Sequence, residues 1–157
     1  MLTRLNVWDM DGCIVDSSHR YRTIEGENRI DLDYWIANEK YTYRDSLLPL
    51  ASEYQRMLAI PSIYTVIATA RIWCEQTQEF VSSKLGQPNA KFARRDRTDT
   101  RGGAELKIVG IRKLLNLRQF QSIQEIHIYE DNETYLRKMV AALPNAIGHF
   151  HPSKQGH

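Results

Sequence analysis

Cysteine is scarce. The 157 residues hold only Cys13 and Cys74, which form no CxxC pair. Two such residues cannot build a disulfide framework, so a reducing, cytoplasmic setting is expected. Long apolar runs are missing too. The N-terminal MLTRLNVWDMDG has no stretch long enough for a signal peptide, and nothing approaches the roughly 20 apolar residues of a membrane helix, so no membrane partner is expected. A charge excess of one sign is also lacking: 21 Lys and Arg stand against 19 Asp and Glu, and a net charge of +2 by itself gives no case for a nucleic-acid partner. There is no internal repeat or low-complexity tract. What remains is an ordinary composition, 42% hydrophobic and 25% charged. At this length roughly 68 to 70% of the unfolded surface can be buried, so residues 1–157 are expected to form one domain around one core.

Short apolar runs alternate with stretches of helical period, the pattern of an α/β chain with a parallel sheet. Strands are predicted at Leu5 to Trp8, Ile63 to Thr69, Lys91 to Arg94, Ile126 to Tyr129 and Ala146 to Phe150. Helices are predicted at Arg44 to Ala59 despite Pro49, at Glu75 to Leu85 with Gly86 as its C-terminal cap, and after Gly102 and Gly103. Ala104, Ile108, Ile111 and Leu115 draw an apolar stripe along that third helix. Leu136, Met139, Val140 and Leu143 do so on a fourth, ended by Pro144 and Asn145. Residues 17–43 are polar, dotted with aromatics and without a sustained period. A βα connection normally needs 2 to 6 residues, so this stretch reads as a small insertion lining a fairly open site. Residues 150–157 read as a frayed tail, because His149, His151 and His157 match no zinc spacing.

Ligands of such sheets bind outside the carboxyl ends of the strands, and the reactive residues gather there. Asp9 and Asp11, two apart in extended chain, can converge, and Gly12 permits a sharp exit. Thr69 and Arg71 come just after the apolar run Ile63 to Ala68, Lys107 sits early in the third helix, and Glu130 and Asp131 follow the fourth strand. Four carboxylates, a hydroxyl, a lysine and an arginine are the groups a Mg²⁺-dependent phosphoryl-transfer site requires.

In order and context this set resembles the haloacid dehalogenase superfamily: DMDG at Asp9 to Gly12, TVIAT ending at Thr69, Lys107, and the acidic pair Glu130-Asp131. The resemblance implies a three-layer, Rossmann-like core with a central parallel sheet and the small insertion in place of a large cap. It implies Asp9 as nucleophile, Asp11 as general acid and then base with a somewhat raised pKa, and Thr69 and Lys107 as holders of phosphate oxygens. Mg²⁺ would be held by Asp9, the Asp11 carbonyl and a carboxylate of Glu130 or Asp131. Cys13, Ala70 and Glu130 depart from the commoner Thr, Gly and Asp. No histidine is positioned to activate Cys13, so thiol chemistry is not expected.

More narrowly, DSSHR, Arg71 and the arginine-rich approach to ELK resemble the polynucleotide phosphatase domains of end-repair proteins. That resemblance adds Gly12, Arg71, His19, Arg20, Arg95, Arg97 and Arg101 as substrate contacts. It implies a phosphorylated nucleic-acid end or a nucleotide as partner, and admits a kinase or ligase beside it. Residues 91–113 carry eight basic residues against three acidic, suited to tracking phosphates, and Trp35, Tyr41 and Tyr43 are candidates for stacking bases. A polynucleotide 3′-phosphate is therefore the first expected substrate, with a mononucleotide (a 5′-nucleotidase) second. The third reading is a catalytically degenerate domain that binds nucleic acid or protein.

Overall fold

A computed structural model describes residues 1–27 and 29–153. Five strands form one parallel sheet: β1 (Arg4–Trp8), β4 (Ile63–Ile72), β5 (Ala90–Arg94), β6 (Glu125–Glu130) and β7 (Ala146–Phe150), in the order β5-β4-β1-β6-β7. The chain leaves central β1 toward β4 and β5, then returns to build β6 and β7 on the other side. That reversal at β1 opens a crevice at its carboxyl end.

Alternation along the strands divides the core in two. Leu5 and Val7 of β1, Val66 and Ala68 of β4, and Ile126 and Ile128 of β6 face two helices, α4 (Gly103–Leu115) and α5 (Glu133–Ala142). Ala104, Ile111, Leu136 and Met139 cover them, as the apolar stripes predict. Trp8, Ile67 and Tyr129 face the other way, onto Tyr54 and Met57 of α2 (Ala51–Leu58) and onto Phe80, Val81 and Leu85. Trp8 and Tyr129 stack with ring centroids 3.7 Å apart. Phe80 closes α3 (Glu75–Phe80), which continues as one π turn to Leu85 and stops at Gly86 with φ +108°.

Three expectations change. The helix foreseen from Arg44 begins only at Ala51. Arg44 instead ends a 3₁₀ turn, and Ser46–Leu47 (β3) pairs antiparallel with Val15–Asp16 (β2). Pro49 lacks an N–H and disfavours helical backbone at Leu48, whose own N–H bonds the Ile14 carbonyl. Second, β4 runs to Ile72, so Thr69 and Arg71 lie within the strand and not past it, at the irregularity between Ala68 and Ile72 in its pairing with β5. Third, the tail stays ordered beyond β7. The His151 N–H bonds the Glu130 carbonyl, and Ser153 reaches Asp131. Residues 154–157, His157 included, lie outside the described residues. His127 and His149 bond each other inside the sheet at 2.8 Å.

Gly110 sits inside α4, where alanine is ordinarily better by about 1 kcal/mol. A Cβ there would lie 2.5–2.8 Å from the ring of Phe92. Gly110→Ala is therefore expected to lower stability by about 1–2 kcal/mol despite its helix propensity. Phe92→Leu in the same chain should recover part of the loss in thermal unfolding.

Candidate active site

Register places Trp8 beside Ile67 and Tyr129, so Asp9 emerges where the three central strands end. Its N–H bonds the Tyr129 carbonyl, which holds the carboxylate over the sheet edge. Lys107, in the first turns of α4, donates from Nζ to Asp9 Oδ1 at 2.8 Å and to Glu130 Oε2 at 2.6 Å. Burial pulls the Lys107 pKa down, but these two anions more than offset that and keep it an ammonium. Glu130 also accepts the Asn132 N–H at 3.2 Å. Burial pushes its carboxyl up, the charge of Asp9 adds to the push, and Lys107 opposes it.

Asp131 is held differently. Its Oδ2 accepts the Ser153 hydroxyl at 2.8 Å, while its buried Oδ1 has no hydrogen-bond partner among the described residues. Burial, and then Asp9, push its carboxyl up as well. Asp9, Glu130 and Asp131 each offer an oxygen within 4.8 Å of the others. Once all three are ionised, as a bound cation would keep them, the carboxylates carry two negative charges beyond the one ammonium of Lys107. An orphaned carboxylate oxygen and a surplus of two charges fit a hard divalent cation such as Mg²⁺. Cys13 lies beneath this cluster. Burial and the charges of Asp9, Glu130 and Asp131 raise its thiol well above the ordinary value, so it stays protonated.

Asp11 belongs to a second network. Arg71 grips it with Nε to Oδ2 at 2.8 Å and Nη2 to Oδ1 at 2.6 Å, and Ser17 donates to Oδ1 at 2.7 Å. Burial acts to raise the Asp11 pKa, but the Arg71 charge and these hydrogen bonds overcome it. The net shift is downward, opposite to the raised value expected from the sequence. Arg71 also donates to Asp45 Oδ2 at 3.1 Å and Thr77 Oγ1 at 3.3 Å. Asp45, fully buried, takes two bonds from Arg20 at 2.8 and 2.9 Å and one contact from His19 Nε2 at 2.8 Å. His19 and Arg20 therefore sit behind the site and brace it. Trp35 lies under both guanidinium groups, with Arg20 4.0 Å and Arg71 5.2 Å from its ring centre.

Between the two networks is a cavity of about 310 Å³, lined by Asp9, Asp11, Thr69, Arg71, Lys107 and Glu130. Arg29, Ile30, Leu32 and Trp35 of the insertion also line it, so residues 17–43 wall the site more closely than the open excursion expected from the sequence. Thr69 Oγ1 accepts the Arg71 N–H at 3.1 Å, which leaves its own O–H to donate. The arginine tract is turned to other uses. Arg101 pairs with Asp99 at 2.7 Å, Arg95 lies 3.6 Å from the same carboxylate, and Arg97 pairs with Asp33 of the insertion. None of these three lines the cavity; Arg94, which was not singled out, does, with Nε on the Ala70 carbonyl at 3.0 Å. Asp45 and Tyr135 also went unnoticed. Nothing in a lone Asp or a helical Tyr marks either as belonging to the site.

The sheet order, with the acidic cluster at the ends of the central strands, is the fold of haloacid dehalogenase (HAD) domains. Two solved structures share the fold. The HAD domain of the effector protein Lem4 from Legionella pneumophila superposes with a TM-score of 0.60 at 14% identity, covering 98% of this chain and 88% of that one. Its inactive mutant gives 0.62 at 13%, covering 99% and 88%. No curated protein matches. The family model for Bacteriophage T5 5'-deoxynucleotidase matches residues 1–156, and the chain belongs to that family.

Two substitutions test this construction. Gly12 has φ +80°, and a Cβ on it would lie 2.2 Å from Asp131 Oδ2 and 2.6 Å from Ser153 Oγ. Gly12→Ala is expected to displace Asp131 and weaken Mg²⁺ binding at least tenfold by calorimetric titration. Asp45→Ala strands two buried guanidiniums and should cost about 3–5 kcal/mol. Arg97→Ala, which breaks only an exposed pair, should unfold within error of the parent chain.

Proposed function

We propose that this protein is a divalent-metal-dependent 5′-nucleotidase that hydrolyses deoxynucleoside monophosphates through a phosphorylated Asp9. The observation that carries the reading is the placement of Asp9, paired with Lys107, in the lining of a cavity that the insertion also walls. The family match supports a nucleotide as the substrate. The cavity is at the small end of the range for small-molecule sites, roughly 300–1,000 Å³. The arginines that favoured a polynucleotide 3′-phosphate are paired with Asp99 and Asp33, so the mononucleotide reading is the better supported of the two.

The chemistry follows from the side chains. An Asp9 oxygen attacks phosphorus as the bond to the sugar oxygen breaks, and Asp11 supplies the proton that the leaving alkoxide takes. Asp11 rests ionised, and the arrival of an anionic phosphate beside it favours its protonation. Lys107 and the Thr69 hydroxyl hold equatorial oxygens, with charges and dipoles already in place as negative charge spreads. In the second step Asp11 takes a proton from the attacking water, and the bond from phosphorus to Asp9 breaks. Asp9 and Asp131 would hold the metal, with the Asp11 carbonyl; Glu130 is engaged by Lys107 and Asn132, which makes Asp131 the better ligand of the pair. Mg²⁺ bound there would supply charge neutralisation of the phosphate.

The test is phosphate release from deoxynucleoside monophosphates and from 3′- and 5′-phosphorylated oligonucleotides, with Mg²⁺ or with EDTA. Monophosphates should turn over with Mg²⁺ only, and Asp9→Asn should lose about a thousandfold or more. Preference for the 3′-phosphorylated oligonucleotide would overturn the mononucleotide reading. Silence on every substrate with any divalent metal would favour a binding role.

A further inference from the structure

A phosphate seated against Asp9, Thr69 and Lys107 leaves the rest of the cavity for whatever the phosphate is attached to. Two aromatic residues line that remainder, Trp35 and Tyr135. Trp35 is engaged: Arg20 and Arg71 both stand over its ring. Tyr41 and Tyr43 do not line the cavity, and Arg44 stands over both of their rings. Tyr135 has no cation over its ring among the described residues.

Its position is fixed from two sides. The Tyr135 N–H bonds Asn132 Oδ1 at 3.1 Å in the N-terminal turn of α5. Its ring lies against Gly103, where a Cβ would come within 2.7 Å of Cε2 and 3.2 Å of Cζ. A side chain at position 103 would push the ring away, so the bare glycine lets it sit against the start of α4, one turn before Lys107. The apolar side chains of Ile30 and Leu32 line the same cavity from the insertion. A planar heterocycle is the kind of group that an immobilised ring and apolar walls receive, because every base has a π-face.

We infer that Tyr135 is the platform on which the nucleobase stacks, and so the residue that separates nucleotides from other phosphomonoesters. This rests on the nucleotidase reading above. The experiment compares thymidine 5′-monophosphate with 2-deoxyribose 5-phosphate, which presents the same phosphate and leaving oxygen without a base. Tyr135→Leu should lower the ratio of their kcat/KM values by about 5- to 100-fold, the range expected for one lost stack, mainly through KM for the nucleotide. Tyr135→Phe, which keeps the ring, should hold the ratio near that of the parent chain. A fall in both substrates together would make the ring merely structural and overturn the assignment, and so would an unchanged ratio. If the parent chain hydrolyses no nucleotide, the proposed function fails and this inference with it; if it does and the ratio stays fixed, only the role of Tyr135 fails.

Discussion

Three carboxylates are forced together where the central strands end, and the rest of the molecule is arranged to tolerate that repulsion. Asp9, Glu130 and Asp131 sit within one small volume, largely out of water, where like charges interact far more strongly than in solvent. Lys107 is the protein's own answer: one buried ammonium shared by two of the three. Its reach explains the placement of α4, which starts at Gly102-Gly103 and so brings the first turns against the sheet edge. Ser153 steadies Asp131 from beyond the last strand, and Gly12 clears the space that this carboxylate occupies. The remaining two charges are what a divalent ion would neutralise.

A separate neutralisation scheme governs Asp11. Here two acids, Asp11 and Asp45, face two guanidiniums, Arg71 and Arg20, and the four charges cancel. Buried pairs of this kind add little net stability, since desolvation offsets most of the attraction, but breaking them is costly. Their consequence here is positional. Asp45 follows the insertion, Arg20 lies within it, and Arg71 comes from β4, so the insertion is tied to the strand that carries Thr69. Trp35, packed against both guanidiniums, extends the tie to α1 (Leu32–Ala37). The wall that the insertion gives the cavity is thereby fixed relative to Asp11 and Thr69.

Much of this was legible in the sequence, and the limits are instructive. Strand ends could be read because buried parallel strands are short apolar runs, and the acids just past them stand out against that background. The helical stripes of α4 and α5 were visible for the same reason. Arg44 to Leu50 misled because its helical period is real; only the local chemistry of Pro49 and the pairing of β2 with β3 decide against it. Asp45 was invisible because its role depends on Arg20 and Arg71, 25 and 26 positions away. The pKa direction of Asp11 was missed for the same cause: the raised value followed from the acid-base role the resemblance implies, and the guanidinium of Arg71 that lowers it lies 60 positions away.

The arginine tract makes the sharpest contrast between composition and geometry. Eight basic residues in a short span suggest a surface for polyanions, yet a field outside the protein depends on where the counter-charges lie. Asp99 is buried and takes Arg101 and, more loosely, Arg95 within its own loop; Arg94 spends its donors on the carbonyls of Ala70, Asp99 and Arg101; Asp33 crosses from the insertion to Arg97. The tract therefore folds its own loop and fastens it to the insertion. With Arg95, Arg97 and Arg101 set against carboxylates, Arg94 and Lys107 are the basic residues of the tract that line the cavity, together with the apolar Ile30 and Leu32 of the insertion to which this loop is fastened.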